Sequence, residues 1–431
     1  MSVVNAIPLI AAGDDGYNLT RSLRFRSSAS AYLSRTFSTP TSANTWSWSG
    51  WIKRGTLSTN QLISGWTSAS TYVQGFGFTT TNTLAIYNNA VGAAVSAEST
   101  AVYRDPAAWY HLLVVSNGSS TTAYINSQSV VTYAGVINLF QSSGEITGIG
   151  TRYSRPSGGA GGYLFDGYLT EINFIDGQAL TPSSFGSFSI YNQWLPKKYA
   201  GTYGTNGFYL PFTNNASAAT LGNDFSGNSN TWTTNNISVT TGSTYDSTTD
   251  VPTLTSATAA NYAVMNPLSA TSPTIISNGN LTVATGVSGG GGAWSTIALT
   301  SGKYYFEFTA TGISGASCRM GVNDSTRTNG VEYYDNGDKV VNGSQTSYGA
   351  SYTDGDLIGV ACDLVANTIT FYKNNTSQGA ISYSTWSTIN MFAFCADGSG
   401  SSGITANFNF GQRPFAYTPP SGFVALNTYN L

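Results

Sequence analysis

The sequence predicts an all-β protein: two β-sandwich (jelly-roll) domains with an ordered connector. Three observations predict it. Short runs of alternating apolar and polar residues recur, each bounded by Gly, Asn, Ser or Pro, as in a sandwich or barrel. Almost nowhere do apolar residues recur at the spacing of an amphipathic helix. The chain has 431 residues, too many for one ordinary core, so two domains are the natural division.

In chain order, residues 1–18 are short, apolar and precede the first strand, and they read as an extended arm. Residues 19–195 hold the first set of strands. There Trp46 and Trp48 stand two apart on one strand and read as core. WYHLLVVSNGSSTTAYINSQSV, 109–130, reads as a strand, an Asn-Gly turn, a strand and an Asn-led turn; Asn and Gly supply the positive φ that tight hairpins require. Residues 196–265 are dominated by Thr, Ser, Asn and Gly, yet contain Tyr199, Tyr203, Phe208, Tyr209, Phe212 and Trp232. A disordered linker has few aromatics, so this connector is expected to be ordered and packed on a domain. Residues 266–431 hold the second set of strands. In GKYYFEFTATG, Tyr304, Phe306 and Phe308 share one face, with Lys303, Tyr305, Glu307 and Thr309 on the other. NTITFYKNNTSQGAIS, 367–382, repeats the earlier hairpin, turning on Asn374 and Asn375. VSGGGGAW, 287–294, is a turn; a phosphate loop needs a following helix and lysine, and it has neither.

Composition excludes several classes. Charged residues are 9% of the chain, against roughly 25% in ordinary soluble domains. The polar surface must then be hydroxyls and amides, suited to hydrogen bonding sugars or packing against protein. Net charge is −3 with no basic run, which argues against nucleic acid as a partner. No apolar run approaches the ~20 residues of a membrane span, so no membrane insertion is expected. The first basic residue is Arg21, which argues against a signal peptide. Cys318, Cys362 and Cys395 are odd in number, widely spaced and in apolar strand contexts, and read as small core residues.

Catalytic chemistry finds little purchase. His111 is the one histidine, so a Ser-His-Asp triad would have to use it, yet it lies inside a strand and reads as structural. Glycoside hydrolysis needs two positioned carboxylates. Glu98, Glu145, Glu171, Glu307 and Glu332 show no Glu-x-Asp-x-x-Glu spacing, and no catalytic residue is assigned. No cofactor is expected. Calcium takes oxygen ligands from loops, and Asp166, Asp176 and Asp224 lie in turn-like contexts as the candidates. Solvated turn carboxylates are the plain alternative. Aromatic rings outside the sheets are the binding candidates, because sugars stack C–H faces on rings while amides and carboxylates bond the hydroxyls. They are Trp66 and Tyr72 in GWTSASTY, Arg152, Tyr153 and Arg155 in GTRYSRPSGG, and Tyr333, Tyr334 and Asp335 in VEYYDNGDK. The plain alternative is that these rings close the sandwich ends or pack on neighbouring proteins.

SGKYYFEF, RMGV, YGASYTDGDLIGVACDLVANTITFYKNNTSQGAIS and ITANFNFGQRPF, over most of 300–415, resemble a SPRY domain. SLRFRSSASAYLSRTF, TWSWSGWIKRG, WYHLLVVSNGSSTTAYINSQSV and FDGYLTEINFIDGQALTPSSF, over about 20–185, resemble a laminin-G-like, concanavalin-A-like lectin domain. NDFSGNSNTW is similar to the Asp-x-Ser-Gly-Asn turn of such lectins, so the connector would complete the first sandwich. These resemblances imply sandwiches that bind through loops rather than enzymes, sometimes with calcium, and they make the two hairpins equivalent features. DDGYNLTRSLRFRSSASAYLSRT, DGQALTPSSFG and YGTNGFYLPF followed by a SPRY-like C-terminus resemble a group of tailed-bacteriophage virion proteins. That implies a tail-fibre or appendage protein in the virion, assembled in the bacterial host cytoplasm. Residues 1–18 would dock it on other virion proteins, and host-surface glycan or protein would be its target. A homo-oligomer, with trimers frequent in phages, follows from the same resemblance. The sequence has no heptads for a fibrous shaft. A capsid decoration or cement protein is therefore the alternative, and a polysaccharide-degrading enzyme the third reading.

Overall fold

The computed structural model describes residues 16–68, 72–89, 95–139, 143–155, 157–286, 291–313, 317–384, 389–398 and 403–431. Most of the 1–18 arm and part of VSGGGGAW lie outside them. Among the described residues the protein is strands and turns, with three short 3-10 turns and no α-helix. No helix among them is long and apolar enough to cross a membrane. The described residues divide into two compact units: those up to 240 with 244–253, and those from 254 to 431 with 241–243.

The first unit is a sandwich of two eight-stranded sheets. One runs Gln128–Tyr133, Thr121–Ile125, Trp109–Asn117, Thr45–Arg54, Gly167–Asp176, Ser22–Phe25 and Ser247–Thr248, with Phe208–Leu210 also on Gly167–Asp176. The other runs Thr233–Asn235, Tyr32–Thr36, Ile146–Ile149, Gln61–Thr67, Val73–Phe78, Thr83–Asn89 and Ala97–Val102, with Arg152–Ser154 also on Gln61–Thr67. Trp46 and Trp48 are fully buried between the sheets, and the Trp48 ring meets Phe76 of the opposite sheet at 5.1 Å.

The polar 196–253 stretch is structured because its aromatics enter this core. Phe208 and Trp232 pack edge to face at 5.0 Å, and Trp232 meets Phe37 at 5.7 Å. Two buried carboxylates tie residues 244–253 down through ion pairs. Asp246 holds Arg24 at 3.1 Å and Arg26 at 2.8 Å, and Asp250 holds Lys53 at 2.8 Å and accepts from Trp109 Nε1 at 3.1 Å. Lys53 and Asp250 are both fully buried, so each charge depends on the other for solvation.

The second unit pairs an eight-stranded sheet, Ile275–Ser277, Thr282–Ala284, Thr405–Asn409, Lys303–Thr311, Leu357–Asp363, Thr368–Lys373 and Thr376–Ser382 with Val424–Ala425, with a six-stranded one. The latter runs Gly292–Leu299, Met391–Asp397, Cys318–Asn323, Gly330–Tyr334, Asp338–Val341 and Ser344–Ser347. Tyr304, Phe306 and Phe308 are core, as their alternation predicts. Tyr305 and Glu307, on the other face, are buried as well: Phe415 packs on Tyr305 at 5.1 Å, and Glu307 accepts the N–H groups of Ala416 and Tyr417 at 2.9 and 3.0 Å. Cys318, Cys362 and Cys395 are free, buried thiols.

The two hairpins are built alike. Asn126 and Ser127 (φ 46° and 73°) and Asn374 and Asn375 (φ 47° and 69°) take the two left-handed positions of their turns. In each, the leading asparagine also serves the neighbouring strand. Asn126 Oδ1 accepts from His111 N at 2.8 Å, and Asn374 Oδ1 accepts from Leu357 N at 2.9 Å.

Candidate functional site

In the first sandwich, five predicted residues from two distant stretches meet at one sheet end. Arg152–Ser154 runs parallel to Gln61–Thr67, setting Arg152 opposite Gly65 and Tyr153 opposite Trp66. Thr67 also pairs with Val73, which brings Tyr72 to the same end. The Arg155 guanidinium lies over the Trp66 ring, 3.5 Å from its centroid, donates to Ile146 O at 3.0 Å and pairs with Glu145. Burial pulls Arg155 down to about 10 against the opposing pull of Glu145, so it stays charged at neutral pH. Trp66 is itself mostly buried and donates Nε1–H to Asn138 O at 2.8 Å. Arg152 stacks over Tyr163 at 4.6 Å and donates to Gly161 O at 2.9 Å. Tyr153 is buried against Tyr32, ring centroids 6.3 Å apart. Tyr72 is exposed and donates its hydroxyl to Asn88 Oδ1 at 2.6 Å, where Gln74 Nε2 also donates at 2.8 Å.

In the second sandwich, Tyr333 and Tyr334 belong to the strand Gly330–Tyr334 rather than to a loop, so they face opposite ways. Tyr333 is fully buried and packs on Phe371 at 5.2 Å. Tyr334 is half-buried on the other face under the Arg319 guanidinium at 4.9 Å. Asp335 follows in the turn, its N–H on Cys318 O at 3.1 Å, and burial raises its carboxyl.

The calcium candidates are tied to backbone donors. Asp166 Oδ2 accepts from Ser27 N at 3.1 Å. Asp176 accepts from Thr41 N at 2.7 Å, Ser42 N at 3.2 Å and Asn206 N at 3.0 Å. Asp224 accepts from Tyr209 N and Ser226 N, both at 2.8 Å, and from Asn230 N at 2.7 Å. Each carboxylate pins a turn. Among the described residues, no group of three or more His, Cys, Asp or Glu could hold a metal ion.

His111 is buried in its strand, 2.8 Å from Ser49 Oγ through Nε2, and burial pushes it down to about 3. Its Nδ1 has no hydrogen-bond partner among the described residues. The pair thus lacks the acid that would orient the imidazole and the solvent access that substrate needs. A cavity of about 350 Å³ lies over Glu307, lined by Asn407, Asn409 and Phe415, but the Glu307 carboxylate is already held by the two N–H groups named above.

One cluster has no signal in the sequence. Glu171 is buried and takes φ 54° within Gly167–Asp176, beside a shift in register against Thr45–Arg54. Tyr17 donates to Oε1 at 2.5 Å and Tyr209 to Oε2 at 2.7 Å, and burial raises the carboxyl to about 7. Only folding brings these three separate stretches together.

Residues 26–184 match the family model of the concanavalin A-like lectin/glucanases superfamily, and residues 303–413 match that of the SPRY domain. The chain carries one domain of each kind. Among solved structures it is similar to the SPRY domain of human HERC1, at 22% identity over 36% of this chain and 99% of that one, TM-score 0.32. It is also similar to the PSpry domain of TRIM65, at 14% identity over 34% and 90%, TM-score 0.28. A candidate carbohydrate-binding protein from Bacteroides ovatus aligns at 17% identity over 51% of this chain and 59% of its own length, TM-score 0.35. Domains of these two kinds are typically binding modules without catalysis.

Proposed function

We propose that this is a non-enzymatic binding protein displayed on a tailed-phage virion, a tail-fibre or appendage protein that holds host-surface glycan or protein through its sandwich loops. The sheet end at Thr67 supports the binding half. Tyr72 offers an exposed ring beside the amides of Asn88 and Gln74, next to a layer fixed by Arg155 on Trp66. A sugar ring would stack on Tyr72, whose position Asn88 fixes through the tyrosine hydroxyl. Tyr72→Ala is expected to weaken binding of host-surface polysaccharide about tenfold, the scale of one lost aromatic contact. Unchanged affinity would remove this surface from the proposal.

The virion half rests on the resemblance of the opening, middle and C-terminal stretches to phage virion proteins. Residues 1–18 would dock the protein on other virion proteins, and a homo-oligomer such as a trimer would carry it. Immunolabelling of particles tests this: a few copies at the tail are expected. Unchanged incorporation after removal of residues 1–18 would end the docking role. The 9% charged content favours a second reading, a capsid decoration protein packing on its neighbours. Hundreds of copies on the head lattice would select it. Shortening of host polysaccharide by purified protein would instead make the protein an enzyme.

A further inference from the structure

The register of the six-stranded sheet collects a polar group on the face opposite Tyr333. Arg319 stands opposite Tyr334, Gly321 opposite Glu332, and Asn323 opposite Gly330. With Arg327 from the connecting turn, these side chains line a pocket of about 110 Å³. Gly330 is required there: a Cβ would come within 2.6 Å of the Asn323 amide carbon. Glu332 is 3% exposed and accepts from Asn323 Nδ2 at 2.6 Å through Oε1. Arg319 Nη1 stands 3.7 Å from Oε2 and Arg327 Nε 3.8 Å from Oε1, ion-pair distances too long for hydrogen bonds.

Four polar atoms of the residues that line this pocket are buried without a hydrogen-bond partner among the described residues: the donors Arg319 Nε and Arg327 Nη2, and the acceptors Asn323 Oδ1 and Glu332 Oε2. Burying a polar group unpaired is costly, so such a set calls for an occupant. Its balance selects the occupant. An anion would satisfy the two donors but meet the Glu332 carboxylate and the Asn323 carbonyl. An ammonium group would satisfy the acceptors but meet two guanidinium groups. Two adjacent hydroxyls serve both pairs, since each hydroxyl donates once and accepts as well. Tyr334 supplies an apolar wall.

We propose that this pocket binds the vicinal diol of a neutral sugar, as a site separate from the first-sandwich surface and not dependent on it. One hydroxyl donates to Glu332 Oε2 and the other to Asn323 Oδ1, while each accepts from a guanidinium. The test is titration of the full chain with methyl α-D-glucoside, mannoside and galactoside, with inorganic phosphate and glucosamine as comparison probes. Saturable millimolar binding of at least one neutral glycoside is expected, with the dissociation constant raised about tenfold or more in Glu332→Gln. Arg327→Lys keeps the charge but withdraws Nη2, and it decides the matter if Glu332→Gln fails to fold; unfolding midpoints identify that case. Three results overturn the inference: preferred binding of phosphate or glucosamine, sugar binding indifferent to both substitutions, or ordered water alone in crystals soaked with the glycosides.

Discussion

Glu171 makes stability depend on pH in an unusual direction. Its carboxyl is raised from 4.5 to about 7, first by burial; hydrogen bonds from Tyr17 and Tyr209 oppose the rise. Between those two values the folded protein holds a proton that the unfolded chain releases, so stability falls as pH rises. The contribution is full below about pH 4.5 and is lost through pH 7, a difference of about 3 kcal/mol. Urea unfolding of the wild type and Glu171→Gln between pH 4 and 8 isolates it, because other titrating groups cancel in the comparison. The wild type should lose about 3 kcal/mol relative to the variant across that interval and run parallel to it above pH 8. Tyr17→Phe, which removes a donor to the carboxylate, should move the transition to higher pH. Curves parallel throughout would mean that Glu171 is ionised in the fold and the reasoning wrong.

Asp250→Ala leaves the Lys53 ammonium buried without its counter-charge, and denaturant titration should register a loss of about 3–5 kcal/mol. Trp232→Ala empties the space between Phe37 and Phe208, at a cost of about 3–5 kcal/mol in the same assay. Asp166, Asp176 and Asp224 are engaged by backbone N–H groups, so calcium or a chelator should leave the melting temperature unchanged, while Asp224→Ala lowers it by orphaning three N–H donors.

Local chemistry made much of this fold legible. Period-two patterning found the core faces of Trp46 and Trp48 and of Tyr304, Phe306 and Phe308, and asparagine at positive φ found both hairpins. Parity misleads at VEYYDNGDK. Asp, Asn and Gly dominate that stretch and suggest a loop, yet the turn begins only after Tyr334, and the strand sends its two tyrosines to opposite faces. The sheet end at Thr67 shows in sequence only as two separate aromatic stretches, because the parallel pairing that joins them is non-local. The Glu171 and Glu332 clusters are less legible still. Glu171 and Tyr17 lie 154 positions apart, and Glu332 carries no motif until a strand register sets Arg319 and Asn323 beside it.

The route of residues 244–253 bears on how the lectin-like half can be isolated. A fragment ending at residue 240, where the chain leaves that half for three residues, would omit Asp246 and Asp250 and the edge strand Ser247–Thr248. Arg24 and Lys53 would then stay enclosed with their counter-ions cut away, and Ser22–Phe25 would become a bare edge open to pairing with other copies. A fragment carried through Thr253 keeps all three. Boundaries drawn by the 26–184 family match would cut away Ser22–Phe25 as well, baring Gly167–Asp176 and leaving Lys53 without Asp250.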